Sequence, residues 1–376
     1  MRTCCCGRVK ENRGPKSRQL VRAVGVVTVT RRYWQCRCGV AGAYAADEVL
    51  GLEGRFSQTV QKHCCRLAAD VSFAATSEHL REMLGVRLAP ETARALVQRH
   101  GRTMAAFQRR DEATAQAFRQ AKGDVEFAVD AGKVNTREQG WKDLKIAVIS
   151  KREAAPPRTP APWQDERLPA ATMVMAFAMI APAQTFRRCW RGTLRRLGVT
   201  AFATLHALGD GARWIWKAVN RTLTGCTQTL DIYHARERLS PCAQAIFGEG
   251  TAATAAAFER GRQLLLHDGW CGVCAWVAEL LSPSASVDGA AEVERRRSAT
   301  DRLLRYFAAH VRRMDYRERL ASGRAIGSGV VEGQAKRLGL RLKSRGARWR
   351  LTNVRPMASL VCVRHSRQWD AYWSRN

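Results

Sequence analysis

The sequence predicts an α/β protein: strands with interleaved helices form a core, a long helical block follows it, and a small cysteine-bearing head precedes it. Three observations carry this. "VEFAVDAGKVN", "WKDLKIAVIS", "ATMVMAFAMI" and "TQTLDIYH" are short runs of alternating or continuous apolar character, the texture of strands. From about Ala235 to Gly323 the chain turns Ala-rich and helical, as in "GTAATAAAFERGRQLLL". Near the start, "CCCG" and "CRCG" flank the β-like run "AVGVVTVTRRYWQ". A chain of 376 residues suits two or three domains with a real core. The expected divisions are a head over 1–45, a helical region over 46–122, the first part of the core over 123–236, a helical block over 237–322, and a last helix with its tail over 323–376.

In chain order, the head comes first. Two cysteine knuckles joined by a hairpin read as a zinc ribbon with Cys4, Cys6, Cys36 and Cys38 as ligands. Ribbons usually place two residues between paired cysteines, and here there is one, so a degenerate ribbon that folds without metal is the alternative. Next, "TSEHLREMLGVRLAPETARALVQRHG" breaks at Gly85 and restarts at Pro90, which suits the first position of a helix. Two helices across a short turn, the second carrying Arg94, Arg99 and His100, fit a helix-turn-helix or an ordinary helical hairpin, and the basic chain favours DNA binding. The strands follow, with the Pro-rich "AAPPRTPAPWQDERLP" expected as a surface loop and "FATLHALGDGARWIWKAV" as a strand running into a helix. "GWCGVC" mimics a dithiol redox motif, but it lies inside the helical block and reads as helix packing.

Charge narrows the partners. The chain carries 63 Lys plus Arg against 33 Asp plus Glu, a net +30. Such a chain repels itself unless it meets a polyanion, and nucleic acid is the usual one. A GC-rich coding sequence would favour Arg over Lys, but it does not account for the shortage of acids. The longest apolar run, "AATMVMAFAMIAPA", is shorter than the roughly 20 residues of a membrane span, and the start lacks an apolar signal region. Thirteen cysteines without a secretion signal point to thiols or metal ligands in a reducing cytosol. A cytoplasmic, nucleoid-associated protein with no membrane partner is expected.

Three acids stand where chemistry is expected. Asp130 closes the apolar "EFAVD", Asp210 closes "ATLHALGD", and Glu332 opens the final helix in "GSGVVEGQAKRLGLRLKSRG". Carboxylates beside glycine at strand ends can meet a substrate, and hard divalent metals take such oxygens. Two metal ions can hold both oxygens of an in-line phosphoryl transfer. Singly, Asp-Gly is ordinary turn chemistry and Glu332 could simply offset its helix dipole. Lys336, one turn after Glu332, could pair with it or reach a phosphate. Arg341, Lys343, Arg345 and Arg348 continue a basic trail expected to touch DNA, with Trp349 as a stacking face. Trp369, Tyr372 and Trp373 are expected to anchor the tail by packing.

"VDAGKVN…WKDLK", "GDGARWIW", "DIYHARERL", "GSGVVEGQAKR", "RLKSRGARW" and "RQWDAYW", in this order, resemble the ISKra-type insertion-sequence transposases, bacterial enzymes with an RNase H-like DDE core. The resemblance runs from about Val125 to the C-terminus. It implies catalytic, metal-binding roles for Asp130, Asp210 and Glu332 with Mg2+ or Mn2+, and a helical insertion within the catalytic fold. The segment from Asp231 to His234 resembles an acid-or-cysteine, two residues, histidine signature of related enzymes, so His234 is expected to move a proton to a leaving 3′-oxygen or orient a flipped base. The implied partners are terminal inverted repeats and target DNA, bound by a homodimer or larger assembly. A non-catalytic DNA-binding protein descended from a transposase is the alternative.

Overall fold

The computed structural model describes residues 3–49, 52, 54–161, 167–282 and 289–374. The head is a hairpin of β1 (Glu11–Arg22) and β2 (Gly25–Gln35), to which β3 (Ala43–Tyr44) adds a short third strand. Helix α1 (Ala45–Val49) closes it. A helical layer follows: α2 (Gln58–Ala68), α3 (Phe73–Leu84), α4 (Pro90–Arg110) and α5 (Glu112–Gln120). The α3–α4 turn forms as the sequence dictates. Gly85 takes the left-handed conformation that ends α3, and Pro90 begins α4.

The core is one mixed five-stranded sheet. Its strands are β4 (Asp124–Thr136), β5 (Gly140–Arg152), β6 (Met173–Ile180), β7 (Leu205–Gly209) and β8 (Thr227–Leu230), in the order β6-β5-β4-β7-β8. β4, β5 and β6 form an antiparallel meander, whereas β7 and β8 run parallel to β4 and return through α6 (Ala183–Arg196) and α7 (Arg213–Thr222). Alternation along β4 supplies two apolar layers. Val125, Phe127 and Val129 pack with Phe186, Trp190 and Trp216 on one face, and Ala128 and Val134 face the other. Asp130 shares the second face.

The helical block comprises α8 (Ile232–Glu237), α9 (Leu239–Phe247), α10 (Ala252–Leu281), α11 (Ala290–Ala308) and α12 (Tyr316–Ala321) around a separate apolar core. By length and composition α10 could cross a membrane, and it is longer than the apolar run from Ala170. However, Gly269 is non-helical (φ 55°, ψ −122°) and reverses the chain. Arg260 consequently pairs with Glu279 at 2.7 Å, although 19 residues separate them in sequence. Helix α10 is therefore an αα-hairpin, each arm shorter than the ~20 residues a span needs. "GWCGVC" lies at this reversal with Cys271 exposed, as a helical turn and not as a strand-to-helix thiol site.

Helix α13 (Gly329–Leu342) returns to the sheet, and α14 (Leu351–Arg364) and α15 (Trp369–Trp373) complete the layer. Glu332 therefore does not open the last helix, because two more follow. Val331, Leu338 and Leu342 recur on one face of α13 and pack against Ala128, Val134, Leu144 and Ile146 of the sheet. Trp369, Tyr372 and Trp373 are buried and anchor the tail as expected. The Pro-rich segment is less superficial than its composition suggests, for Ala155 N–H donates to Gly323 O (3.0 Å) and Arg158 N–H to Leu320 O (2.9 Å). It straps the sheet to α12; residues 162–166 of it lie outside the described residues.

Helix α4 serves packing over much of its surface. His100 is buried between Tyr372 Oη (2.8 Å) and Gln61 Oε1 (2.7 Å), and the Arg99 guanidinium donates to the same Gln61 oxygen. These two residues, expected on a DNA-reading face, hold α2, α4 and α15 together instead. Burial, with help from the Arg99 charge, pushes His100 down to about 4, so it is neutral here. Gly101 meets α14 so closely that a Cβ would enter the Pro356 backbone carbonyl. Gly101→Ala is therefore expected to destabilise the fold by about 1–3 kcal/mol, visible as a lower denaturant midpoint with unchanged slope. An unchanged midpoint would show that α4 and α14 are free to separate there.

Candidate active site and cysteine centre

The register of the sheet builds the site. The last parallel pairs are Val129 with Gly209, and Gly209 with Leu230. The next residues along the three strands are Asp130, Asp210 and Asp231, so three aspartates stand in a row on neighbouring strands about 4.8 Å apart. Asp130 was expected to end its strand. Instead β4 continues to Thr136, pairing with β5 through Asp130–Ile146 and beyond, and only the pairing with β7 ends there. The apolar run stops because β7 no longer covers that side, not because the strand does.

Local backbone groups orient the first two carboxylates. Ala131 N–H donates to Asp130 Oδ1 at 2.6 Å, and Ala212 N–H to Asp210 Oδ1 at 2.8 Å. The Trp216 indole donates to Asp210 O at 2.8 Å and fixes the turn into α7. Glu332 lies exposed in the first turn of α13. Burial raises Asp130 above the usual carboxylate range, and the Asp210 and Glu332 charges push the same way while that of His234 opposes them. These four groups thus share one electrostatic field. None of the three acids forms an ion pair with Lys or Arg among the described residues, despite 63 such side chains in the molecule.

Asp231 does something different. It is fully buried and caps α8, accepting from His234 N–H (2.9 Å) and from the backbone N–H of Ser328, which immediately precedes α13. Its carboxylate thereby ties the end of β8 to the helix that carries Glu332. Ile232 N–H donating to Ile326 O (3.0 Å) reinforces the tie. Burial works against the charge of Asp231, but hydrogen bonds from His234 and Ser328 outweigh it and hold the acid below its ordinary value. An Asp opening "DIYHARE" is an N-cap signal in the sequence itself, although the Ile and Tyr after it suit a strand. The expected strand "TQTLDIYH" accordingly stops at Leu230, and His234 lies in the first turn of a helix.

His234 Nδ1 lies 3.1 Å from Asp231 Oδ1. That hydrogen bond raises the imidazole to about 9; burial opposes it, and the Asp231, Asp210 and Glu237 charges add to it. His234 is therefore a cation at neutral pH, able to give a proton but not to take one. Its contribution to stability is complete below about pH 6.5, the ordinary histidine value, and disappears as pH rises through about 9. Asp231→Asn is expected to return the His234 midpoint to 6.5 or below, read by imidazole NMR. A midpoint still near 9 would show that another group holds the proton.

The basic trail after Glu332 divides in two. Lys336, Lys343, Arg345 and Arg348 are exposed, and Lys343 Nζ comes within 4.0 Å of where a Cβ on Gly132 would stand, two residues beyond Asp130. Arg341, expected at DNA, is instead buried. Its Nε donates to Ala68 O at 2.6 Å, and its guanidinium lies 4.9 Å from the ring centroids of both Phe73 and Trp349. Trp349 is likewise no open stacking face, since its indole donates to Leu342 O (3.0 Å) and its backbone pairs with the β4–β5 tip.

The head gathers a second site. Gly7 and Gly39, both at positive φ, let their amides turn back to Cys4 O (2.9 Å) and Cys36 O (3.4 Å), so the two Cys-x-Cys-Gly knuckles close alike. Cys4 and Cys38 sulfurs are 3.5 Å apart, those of Cys6 and Cys36 3.6 Å, and all four lie within 4.8 Å of one another. A tetrahedral zinc with Zn–S near 2.3 Å requires sulfur–sulfur edges of about 3.8 Å. The one-residue spacing is therefore no obstacle, and the set could hold a metal ion such as zinc. The Cys6 backbone amide draws Cys4 down to about 6 against the effect of burial. The Val40 amide favours the Cys38 thiolate, but the neighbouring sulfurs prevail and push it to about 12. Among the described residues this is the only group of three or more metal-ligating side chains that gathers in this way.

No protein-family model matches the chain, and no characterised protein matches it in sequence.

Proposed function

We propose that the chain is a metal-dependent DNA transposase of an insertion sequence, with an RNase H-like core. The observation that carries this reading is the placement of Asp130, Asp210 and Glu332 at one end of the parallel strands, unpaired with any Lys or Arg among the described residues of a +30 chain. The mixed sheet, the helical block between β8 and α13, and the return of Glu332 to the sheet support the insertion-bearing core that the resemblance implies. The donor set suits a hard divalent cation, being all carboxylate oxygen with mutual repulsion that a cation would relieve. Asp130, Asp210 and Glu332 would hold Mg2+ or Mn2+, which when bound supplies Lewis-acid assistance to phosphoryl transfer. The Ala131 and Ala212 amides keep the two aspartates aimed, Asp231 positions α13, and protonated His234 offers its proton to a leaving 3′-oxygen.

Lys336, Lys343, Arg345 and Arg348 are exposed along α13 and the segment after it, with Lys343 near Gly132 and Arg348 beside the β4–β5 tip. A cavity of about 580 Å3 lined by Arg94, Arg137, Arg345, Arg348 and Arg350 extends the basic surface toward α4, which gives Arg94 the DNA-facing role that Arg99 and His100 lack. One observation favours a non-catalytic DNA-binding protein as the second reading, namely that among the described residues only the cysteines, and not these carboxylates, gather as a metal-ligating group. The two readings separate on duplexes carrying the DNA that flanks this gene. A transposase cuts at the element ends in Mg2+ and not in EDTA, whereas the binding protein retains the duplex in both and cuts in neither.

A further inference from the structure

At the opposite end of the parallel strands from the carboxylates lies a cavity of about 730 Å3 between β7, β8 and α12. Four arginines line it (Arg312, Arg313, Arg319 and Arg324) with His206 on its sheet wall. We propose that this cavity is a binding site for a phosphate-bearing ligand, with Arg319 and Arg312 as its principal donors.

The argument rests on a surplus of hydrogen-bond donors. Arg319 is only 7% exposed, and no carboxylate lies within ion-pairing distance of it among the described residues. Its Nε donates to Ala325 O (3.0 Å), but its Nη2 is buried with no hydrogen-bond partner among the described residues. A buried guanidinium with an idle N–H is costly unless an acceptor reaches it. Burial indeed draws its pKa down to about 10. His206 sharpens the point. Arg319 Nη1 lies 3.2 Å from its Nδ1 and Arg324 Nη1 2.9 Å from its Nε2. Burial and these two charges push His206 down to about 4, so the ring is neutral, with one N–H and one acceptor nitrogen. Guanidinium groups only donate, so one of the two contacts must set N–H against N–H. An anionic oxygen would satisfy both Arg319 Nη2 and the displaced donor.

The other charges weigh against this only in part. Asp124 already pairs with Arg324, and Arg313 is engaged by Gln228 (2.8 Å) and Ala309 O (2.8 Å). Asp315 and Glu318 line the cavity as carboxylates that oppose an anion, but both are exposed at α12. Arg312 is exposed and in no ion pair among the described residues. Phosphate fits this donor array better than a carboxylate, because it presents three or four acceptor oxygens to several forks at once. The volume falls within the range of small-ligand pockets and exceeds one free phosphate, so the group could belong to a nucleic-acid strand or a free nucleotide as well as to inorganic phosphate.

The test uses the full-length protein, selectively labelled at histidine, titrated with inorganic phosphate at constant ionic strength. The His206 resonance, assigned by its loss in His206→Gln, should shift saturably, and its midpoint should rise from about 4 by about one unit as an anion favours the imidazolium. Arg319→Lys and Arg312→Ala should each weaken that binding by about tenfold or more. Arg312 is exposed and forms no ion pair among the described residues, so its variant stays informative if Arg319→Lys fails to fold. A short DNA duplex is the second probe. If it moves the same resonance and Arg312→Ala lowers DNA affinity, the phosphate is the DNA backbone; if only inorganic phosphate acts, the ligand is small. A His206 signal that ignores both probes, or a response unchanged in Arg312→Ala, overturns the site. Neither arm requires DNA cleavage, so the result stands apart from the catalytic reading.

Discussion

Asp130→Asn, Asp210→Asn and Glu332→Gln are each expected to lower Mg2+-dependent end cleavage by at least about 1,000-fold, equivalent to roughly 4 kcal/mol of lost transition-state stabilisation. Each change keeps the shape of the side chain and replaces an anionic oxygen with a neutral one. In Asp130→Asn and Asp210→Asn the amide oxygen can still accept from Ala131 or Ala212, so the backbone should not move. DNA binding should be equal or slightly tighter, because a negative charge near the phosphates has been removed and the basic residues are intact. Cleavage is best scored in Mg2+, since Mn2+ can mask the loss of a weak ligand, and binding in Ca2+ over a salt series. A variant that cleaves at near wild-type rate removes that residue from the site. For Glu332 the alternative is sharper. If Glu332→Gln binds DNA much more weakly, the acid is organising the first turn of α13 against its dipole, and the metal role passes elsewhere.

Much of this site could be read from the sequence because its parts are local. The apolar runs before Asp130 and Asp210 mark strands wherever one face is buried, and Gly-rich "GSGVVEG" marks the approach to a helix. What stayed hidden depended on neighbours far along the chain. Hydropathy reports coverage, not hydrogen bonding, so it ended β4 at Asp130 where β7 stops, although β5 carries the strand on. The Ile and Tyr of "DIYH" suit a strand, and only Ser328, nearly 100 residues later, reveals Asp231 as the cap that seats α13. Charge pattern alone placed Arg341 and Arg99 at DNA. Nothing local predicts that Phe73 and Trp349 enclose the first, or that Gln61 holds the second. His206, Arg319 and Arg324 are likewise unremarkable in sequence, and their conflict of donors exists only once β7 meets the α12 segment.

The cysteine centre should give the largest effect on local stability. Protein purified under reducing conditions is expected to carry about one zinc per chain, and Cys36→Ser or a strong chelator should remove it. In small zinc-dependent domains the metal contributes on the order of 10 kcal/mol or more, and the head has little else to hold it. Of the β1–β2 hairpin only Leu20, Val21 and Arg31 are buried, only Val21 and the partly buried Ala23 reach the main core, and Val24 and Val26 stand exposed. Four thiols within 4.8 Å cannot all ionise without a cation among them, so the knuckles lose their common tie when the metal leaves. Hydrogen exchange should then rise sharply across β1 and β2 while β4 to β8 stay protected, because the sheet's apolar layers do not depend on the head. DNA-end recognition should weaken in Cys36→Ser while nonspecific binding persists, since the basic surface around α13 is untouched. Metal-free protein, freshly purified and reduced, with a fully protected hairpin would show a ribbon that folds on its own side chains. In that case the Arg31–Asp47 ion pair and the Val21 contact must be enough to hold it.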